Sequence, residues 1–214
     1  MKIGILGTGD VGRVLGTGFA KKGHEVKMGS RDAANPKLAE FVKLAGPKAS
    51  GGTFADAAAF GEVVVLATLW SGTESALKMA GARNLAGKVV MDATNPLVFT
   101  PNAPPGLALG WKDSGGEQVQ RWLPDANVVK VYNTVGNSLM VDPVIPGGPP
   151  DMFICGNDAG AKQTVTKICA DFGWPTFDIG GIEGARLLEP LCILWVLYGM
   201  KTGSWSHAYK MLRK

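Results

Sequence analysis

Six residues near the amino end carry the clearest chemical signal: Gly7, Thr8, Gly9, Asp10, Val11 and Gly12. Glycines at the first, third and sixth places suit a tight strand-to-helix turn around a diphosphate. The first permits the bend, the second lets the backbone approach the ligand, and the third lets the helix pack closely on the strand. Free N–H groups at the helix start then meet the anion with a partial positive charge. The chain has 30 glycines in 214 residues, so the pattern alone arises easily by chance. Position gives it weight: it directly follows the apolar run Lys2–Leu6 and opens a helical run. A dinucleotide is the expected ligand.

The second clue is Gly29-Ser30-Arg31, about 20 residues further on, where NAD-binding units carry an acidic residue for the ribose. A carboxylate there would repel a 2′-phosphate. Ser30 can donate a hydrogen bond to that phosphate, and Arg31 can stack on adenine or pair with the phosphate. The expected cofactor is therefore NADP(H) rather than NAD(H). Asp32 follows at once and would act against this if it turned inward, whereas Lys37 offers a third phosphate contact.

Ligands of such folds lie beyond the carboxyl ends of the strands. Those places hold Ala67, Thr68, Leu69 and Trp70 after one apolar run, and Thr94, Asn95 and Pro96 after the next. The residues through Pro96, Thr94 aside, are assigned to the cofactor. Asn133, Thr134 and Val135 follow a third run and are assigned to the acceptor side. No general acid or base is found: His24 lies beside the second strand, His207 in a last helix, and Lys130 inside a strand. No metal-binding spacing occurs either. Hydride transfer between two rings needs positioning more than a proton donor, because the cofactors supply the chemistry. A site of amides and apolar groups would suffice.

Alternating strand-like and helix-like runs position these residues, which indicates an α/β chain. Expected strands are Lys2–Leu6, His24–Met28, Glu62–Ala67, Lys88–Ala93, Asn127–Tyr132, Met152–Cys155 and Thr176–Ile179. Expected helices are Val11–Lys22, Pro36–Leu44, Thr53–Phe60, Glu74–Ala80, Gln118–Leu123 behind a Ser114/Glu117 capping box, Ala159–Phe172, Gly184–Met200 and Ser204–Leu212. Thr100–Lys112 and Gly136–Pro150 read as Pro/Gly-rich loops. The fold class is a Rossmann-type doubly wound parallel sheet with a small C-terminal α+β or helical extension. The division is expected at 1–135, the NADP-binding domain, and 136–214, completing the acceptor site and the dimer interface.

Hydrophobic residues make up 46% of the chain, enough for a core. No apolar stretch is long enough for a membrane span, and the amino end reads as a strand rather than a signal peptide. The net charge of +4 without a basic run gives nucleic-acid binding little support. Cys155, Cys169 and Cys192 show neither a disulfide framework nor metal spacing, so a reducing cytoplasm is expected. Gly184–Met200 is apolar all round and is expected to be core, or else a dimer face. Arg186 and Glu189 are expected to pair locally.

Several motifs resemble the coenzyme F420-dependent NADP oxidoreductases. They are Gly7-Thr-Gly-Asp-Val-Gly12, Gly29-Ser-Arg31, Leu69-Trp70, Val128-Val-Lys-Val-Tyr-Asn-Thr134, Ile154-Cys-Gly-Asn-Asp158 and Ala185-Arg-Leu-Leu-Glu-Pro190. The resemblance runs in order along nearly the whole chain. It implies NADP(H) at the glycine turn, a deazaflavin (F420) stacked on the nicotinamide, and a homodimer; a flavin is the other ring expected as co-substrate. The NADPH-binding domains of the STEAP metalloreductases are similar at the glycine turn. The loops Thr100–Lys112 and Ser138–Pro150 depart from the archaeal members and would border the acceptor. Two other readings stand beside hydride transfer to a ring. One is an imine or carbonyl reductase in which Thr68, Asn95 or Asn133 orients a small substrate. The other is a non-catalytic NADPH sensor.

Overall fold

Val63 and Val65 face one layer of helices while Val64 and Leu66 face the other, which is why this inner strand is apolar throughout. The computed structural model describes residues 1–101 and 103–213. Asn102, within the expected loop Thr100–Lys112, lies outside the described residues.

The first half alternates strand and helix, apart from one pair of consecutive helices. It runs β1 (Lys2–Leu6), α1 (Asp10–Lys21), β2 (Glu25–Ser30), α2 (Pro36–Ala45), β3 (Ala49–Thr53), α3 (Phe54–Phe60), β4 (Val63–Leu66), α4 (Trp70–Ala80), α5 (Ala82–Leu85) and β5 (Val89–Asp92). A small antiparallel hairpin follows, β6 (Leu97–Val98) with β7 (Gly106–Leu107), the second strand lying inside the expected loop Thr100–Lys112. Then come α6 (Gly115–Trp122), β8 (Asn127–Lys130), β9 (Met152–Gly156), α7 (Ala159–Asp171), β10 (Thr176–Asp178) and α8 (Ala185–Thr202).

Eight strands form one sheet in the order β10-β9-β8-β5-β4-β1-β2-β3. The six from β3 to β8 are parallel in the doubly wound order, with the chain reversing direction of travel between β1 and β4. β9 runs antiparallel to β8, and β10 parallel to β9, so the sheet continues past residue 135 and is mostly rather than wholly parallel. One core, with Leu15, Phe19, Phe41, Val165 and Trp174, lies under α1, α2 and α7. The other, with Phe54, Leu77, Val119, Ile182 and Leu188, lies under α3 to α6 and α8.

Local signals explain most boundaries. Asn35 caps α2 by accepting from the Lys37 N–H, and Pro36 supplies the first helical residue. Thr53 and Asp56 form a full capping box on α3. At α6 only half of the expected box forms: Ser114 accepts from Glu117 N–H, but Glu117 turns to Arg186 and the Ser114 N–H goes to Asp113.

Four expectations are overturned. α4 begins at Trp70, not Glu74, because Ser71, Gly72 and Thr73 disguise its first turn. The segment Ser204–Leu212 is not a helix. Its polar groups bond outward instead: Trp195 Nε1 donates to His207 O (2.7 Å), and Tyr209 Oη to Leu191 O (2.9 Å). Asp151 ties down Tyr209 and Met211 through its N–H and its carboxylate. α8 is not wholly buried, since Leu187, Leu194 and Tyr198 are more than half exposed. Arg186 does not pair with Glu189. It reaches Glu117 on α6, while Glu189 turns inward.

Candidate functional site

The glycine turn is built as a cradle. Gly7 has φ +128°, and a Cβ there would stand 2.3 Å from Ala67 O. A Cβ on Gly12 would stand 2.3 Å from Gly7 O, so α1 can sit this close to β1 only without a side chain. Gly9 is the opposite case: nothing lies within 4 Å of an added Cβ. That open space faces the start of α1, which has no side-chain cap, so its first N–H groups remain for a ligand. Asp10 stands beside them, and Arg13 takes its carboxylate at 2.7 Å. The shape and the donor set fit a diphosphate. Thr8 and Val11 line the same turn, half-buried.

At the end of β2, Ser30 is buried with its Oγ accepting from Asn35 Nδ2 (2.9 Å) and from Asp32 N–H (3.4 Å). With both acceptor directions used, the hydroxyl proton remains to be donated. Asn35 thus holds Ser30 and caps α2 at once, a link that no motif announced. Asp32 Oδ1 accepts from Ala34 N–H in its own loop (2.9 Å), which engages one of its carboxylate oxygens there. Arg31 and Lys37 are exposed, and neither makes an ion pair among the described residues. The end of β2 thus offers these two unpaired cations and one hydroxyl, with the one neighbouring carboxylate, Asp32, bonded within its own loop.

The next strand ends continue this edge. Ala67 and Thr68 follow β4, with Thr68 Oγ1 2.9 Å from Thr73 Oγ1. Leu69 is largely exposed, and Trp70 stacks on Trp122 with ring centres 5.6 Å apart. After β5, Asn95 Nδ2 donates to Asn133 O (2.8 Å) and Asn133 Nδ2 returns the contact to Asn95 Oδ1 (3.1 Å). Asn133 also donates to Leu188 O in α8 (2.9 Å). Pro96 is buried beside them, and its carbonyl accepts from Ala108 N–H. Asn133, Thr134 and Val135 are all buried, Asn133 against α8 and Val135 in the core under α1, α2 and α7.

Tyr132, just before Asn133, has φ +60°, a conformation bulky residues seldom adopt. The bend breaks the alternation of the strand. Val128 belongs to one core and Val129 and Val131 to the other, and Tyr132 joins Val131 rather than Val128. Its N–H meets Met152 Sδ at 3.3 Å, and its ring packs on Phe172 and Trp174.

Lys130 is a surprise of another kind. It sits in register with Asp92, and its Nζ lies 2.8 Å from Asp92 Oδ2 and 3.0 Å from Glu189 Oε1, with both residues buried. The ammonium also donates to Thr94 O (2.8 Å). Burial opposes its charge, but the two carboxylates outweigh that and hold its pKa above the ordinary lysine value. The sequence did carry a trace: three charged residues stand in otherwise apolar runs. His24 contacts the amino terminus at the other end of the sheet, and His207 stacks on Trp195 (4.6 Å), outside a helix. The cysteine thiols are raised by burial, Cys155 and Cys192 to about 12 and Cys169 to about 11, so none is a nucleophile at neutral pH. No group of three or more potential metal ligands occurs among the described residues.

Two cavities flank these elements. One of about 460 Å³ lies between residues 106–111 and Pro190 with Ile193, next to the Pro96 end of the crevice. The other, of about 610 Å³, is lined by Gln120, Arg121 and Asn127 at the opposite end of β8, away from the glycine turn.

The family described as NADP oxidoreductase, coenzyme F420-dependent, matches residues 2–96. An F420-dependent NADP reductase of Methanothermobacter marburgensis is 31% identical over 214 residues, covering 94% of this chain and 93% of that protein. The chain belongs to the F420-dependent NADP oxidoreductase family. A family likeness also appears in a crystal structure described as a candidate F420-dependent NADP reductase from Arthrobacter sp. FB24. The two share 41% identity, all of both chains is covered, and the TM-score is 0.93. Rat metalloreductase STEAP3 is 31% identical over 196 residues, 89% of this chain. The chain spans only 36% of STEAP3's length. The protein is thus an NADP-dependent oxidoreductase by family. No helix among the described residues is long and apolar enough to cross a membrane.

Proposed function

We propose that the crevice from Gly7 to Pro96 holds NADP(H), and that the protein passes hydride between it and a planar ring acceptor of the F420 or flavin type. The observation that carries this is the pairing of an open Gly9 with a Ser30–Arg31 end whose one neighbouring carboxylate, Asp32, is engaged in its own loop. When bound, the cofactor supplies the hydride. The chain's residues bind and orient: N–H groups of α1 take the diphosphate, and Ser30, Arg31 and Lys37 take the 2′-phosphate. Ala67, Thr68, Leu69 and Trp70 border the middle of the dinucleotide, and Asn95 and Pro96 its nicotinamide end.

The acceptor ring is assigned to the 460 Å³ cavity, whose walls come from the β6–β7 segment and from Pro190 and Ile193 of α8. This gives the part beyond residue 135 its role, with Asn133, Thr134 and Val135 as the buried floor. Residues 1–135 then serve as the cofactor half and lend residues 106–111 to the acceptor wall. The exposed row Leu187, Leu194 and Tyr198 suits a second copy of the chain, and three unpaired cysteines suit a reducing cytoplasm.

The test is calorimetric titration of the apo-protein with NADPH, followed by NADPH oxidation in the presence of F420, FMN or FAD. Binding plus turnover with a ring acceptor is expected. No uptake of NADPH ends the proposal, and uptake without turnover by any of the three ends its acceptor half.

A further inference from the structure

Three charged side chains are packed without solvent where β5 and β8 end. Each proton of the Lys130 ammonium has a partner: Asp92, Glu189 and the Thr94 carbonyl. Such a group has no proton to offer a substrate, so a role as acid is closed to it. What the set does fix is Thr94. Asp92 Oδ1 accepts from the Thr94 N–H (2.9 Å) and from its hydroxyl (2.7 Å), while Lys130 holds its carbonyl. Every polar group of that residue is tied.

The next residue is Asn95. Its side chain is clasped to Asn133, and Asn133 is bonded to Leu188 O. The neighbour of Leu188 is Glu189, whose two oxygens also accept the N–H groups of Gly115 and Gly116 at the start of α6 (2.9 and 3.0 Å). Consecutive residues of α8 therefore grip the ends of β5 and β8, and one of them caps α6. A Cβ on Gly115 would meet Glu189, Trp70 and Pro96 at 3.0 to 3.3 Å, so this junction leaves little slack. Buried charges add little net stability over apolar packing, but they enforce one geometry, since any other leaves an ion unpaired.

We propose that Lys130, Asp92 and Glu189 are positioning residues that set Thr94–Asn95, and through it the orientation of the nicotinamide end of the cofactor. The inference rests on the placement of that end at Asn95 given above. It makes α8 a part of the cofactor site without any contact to the cofactor.

The test compares wild type with Glu189→Gln and Lys130→Met in four measurements: thermal melting, affinity for 2′,5′-ADP, fluorescence of bound NADPH, and kcat with KM for the wild-type acceptor. The adenosine half is remote from the set, so 2′,5′-ADP affinity is expected to stay unchanged. The nicotinamide emission is expected to shift towards that of free NADPH, and kcat to fall roughly 10- to 100-fold, as small misplacements of a reacting ring do. Glu189→Gln keeps an acceptor for α6 and leaves Lys130 paired with Asp92, so it serves if Lys130→Met does not fold. Lys130→Arg is expected to recover part of the emission change. Unchanged emission and kcat in a folded variant overturn the inference alone. Parallel loss of 2′,5′-ADP binding also overturns it, since that marks general damage. A wild-type protein that binds no NADPH overturns the proposed function together with it.

Discussion

Gly12 is pressed against Gly7: a methyl group on the first would stand 2.3 Å from the carbonyl oxygen of the second. Gly9, between them, faces nothing within 4 Å. The same substitution therefore has two outcomes. Gly12→Ala forces α1 off β1 and is expected to cost about 1–3 kcal/mol, the range for overpacking, read as a lower Tm. Gly9→Ala is expected to fold with a wild-type Tm yet lose NADPH affinity, because its methyl fills the space left for the diphosphate. Calorimetry and melting curves on both variants separate the two.

Arg31→Ala is expected to weaken NADPH binding by about 1–3 kcal/mol, the range for hydrogen bonds to charged groups, and to leave NADH binding nearly unchanged. Asp32 is engaged with Ala34 N–H, so it does not take over the ribose when the cation is removed. Equal losses for both nucleotides in a side-by-side titration would contradict the assignment of the 2′-phosphate.

Arg186 on α8 donates to Glu117 on α6, with Nε 2.8 Å from Oε2. This bond is the main reason that the Glu117 carboxyl is held below its ordinary range, despite the opposing effect of burial. With the folded value below the unfolded one, the pair stabilises fully above the ordinary glutamate pKa of about 4.3 and loses its effect as pH falls through the depressed value. Arg186→Met is thus expected to lower Tm at pH 7, and the gap to wild type is expected to close in strong acid. A gap that stays constant down to pH 2 would refute this.

Trp195 and His207 exchange contacts: Nε1 of the tryptophan donates to the histidine carbonyl, and the imidazole Nε2 lies 3.0 Å from the tryptophan carbonyl. Trp195→Phe keeps an apolar ring but leaves the His207 carbonyl without its donor. A loss of about 1 kcal/mol is expected in urea unfolding, the usual net worth of one such bond. No change would mean that residues 204–213 do not hold α8.

The elements that border the proposed crevice were legible where chemistry and local rules agree. The glycine turn, the Ser30–Arg31 end and the buried strands β4 and β5 can be read from residue types alone, because each needs one backbone geometry or one face pattern. β3 could not. Ala49-Ser-Gly-Gly-Thr53 has poor strand propensity, and only its register against β2 makes it a strand. Residues 204–212 have helix-like spacing, but bonds to Asp151 and α8 override it. The Lys130 set was missed because its members lie 38 and 59 positions from each other along the chain. Only the pairing of β5 with β8 and the return of α8 bring them together. The local pairing expected for Arg186 and Glu189 failed for the same reason: each has a better partner far away in sequence.

Tyr132 carries one further consequence. Its ring is wedged among Phe172 and Trp174 on one side of the sheet, while the residue after it anchors the amide clasp on the crevice edge. That edge is consequently expected to loosen only together with the aromatic plug. Its amide hydrogens are expected to exchange only when the whole molecule opens, so the nucleotide proposed to bind there would meet a surface already cast rather than one it must mould.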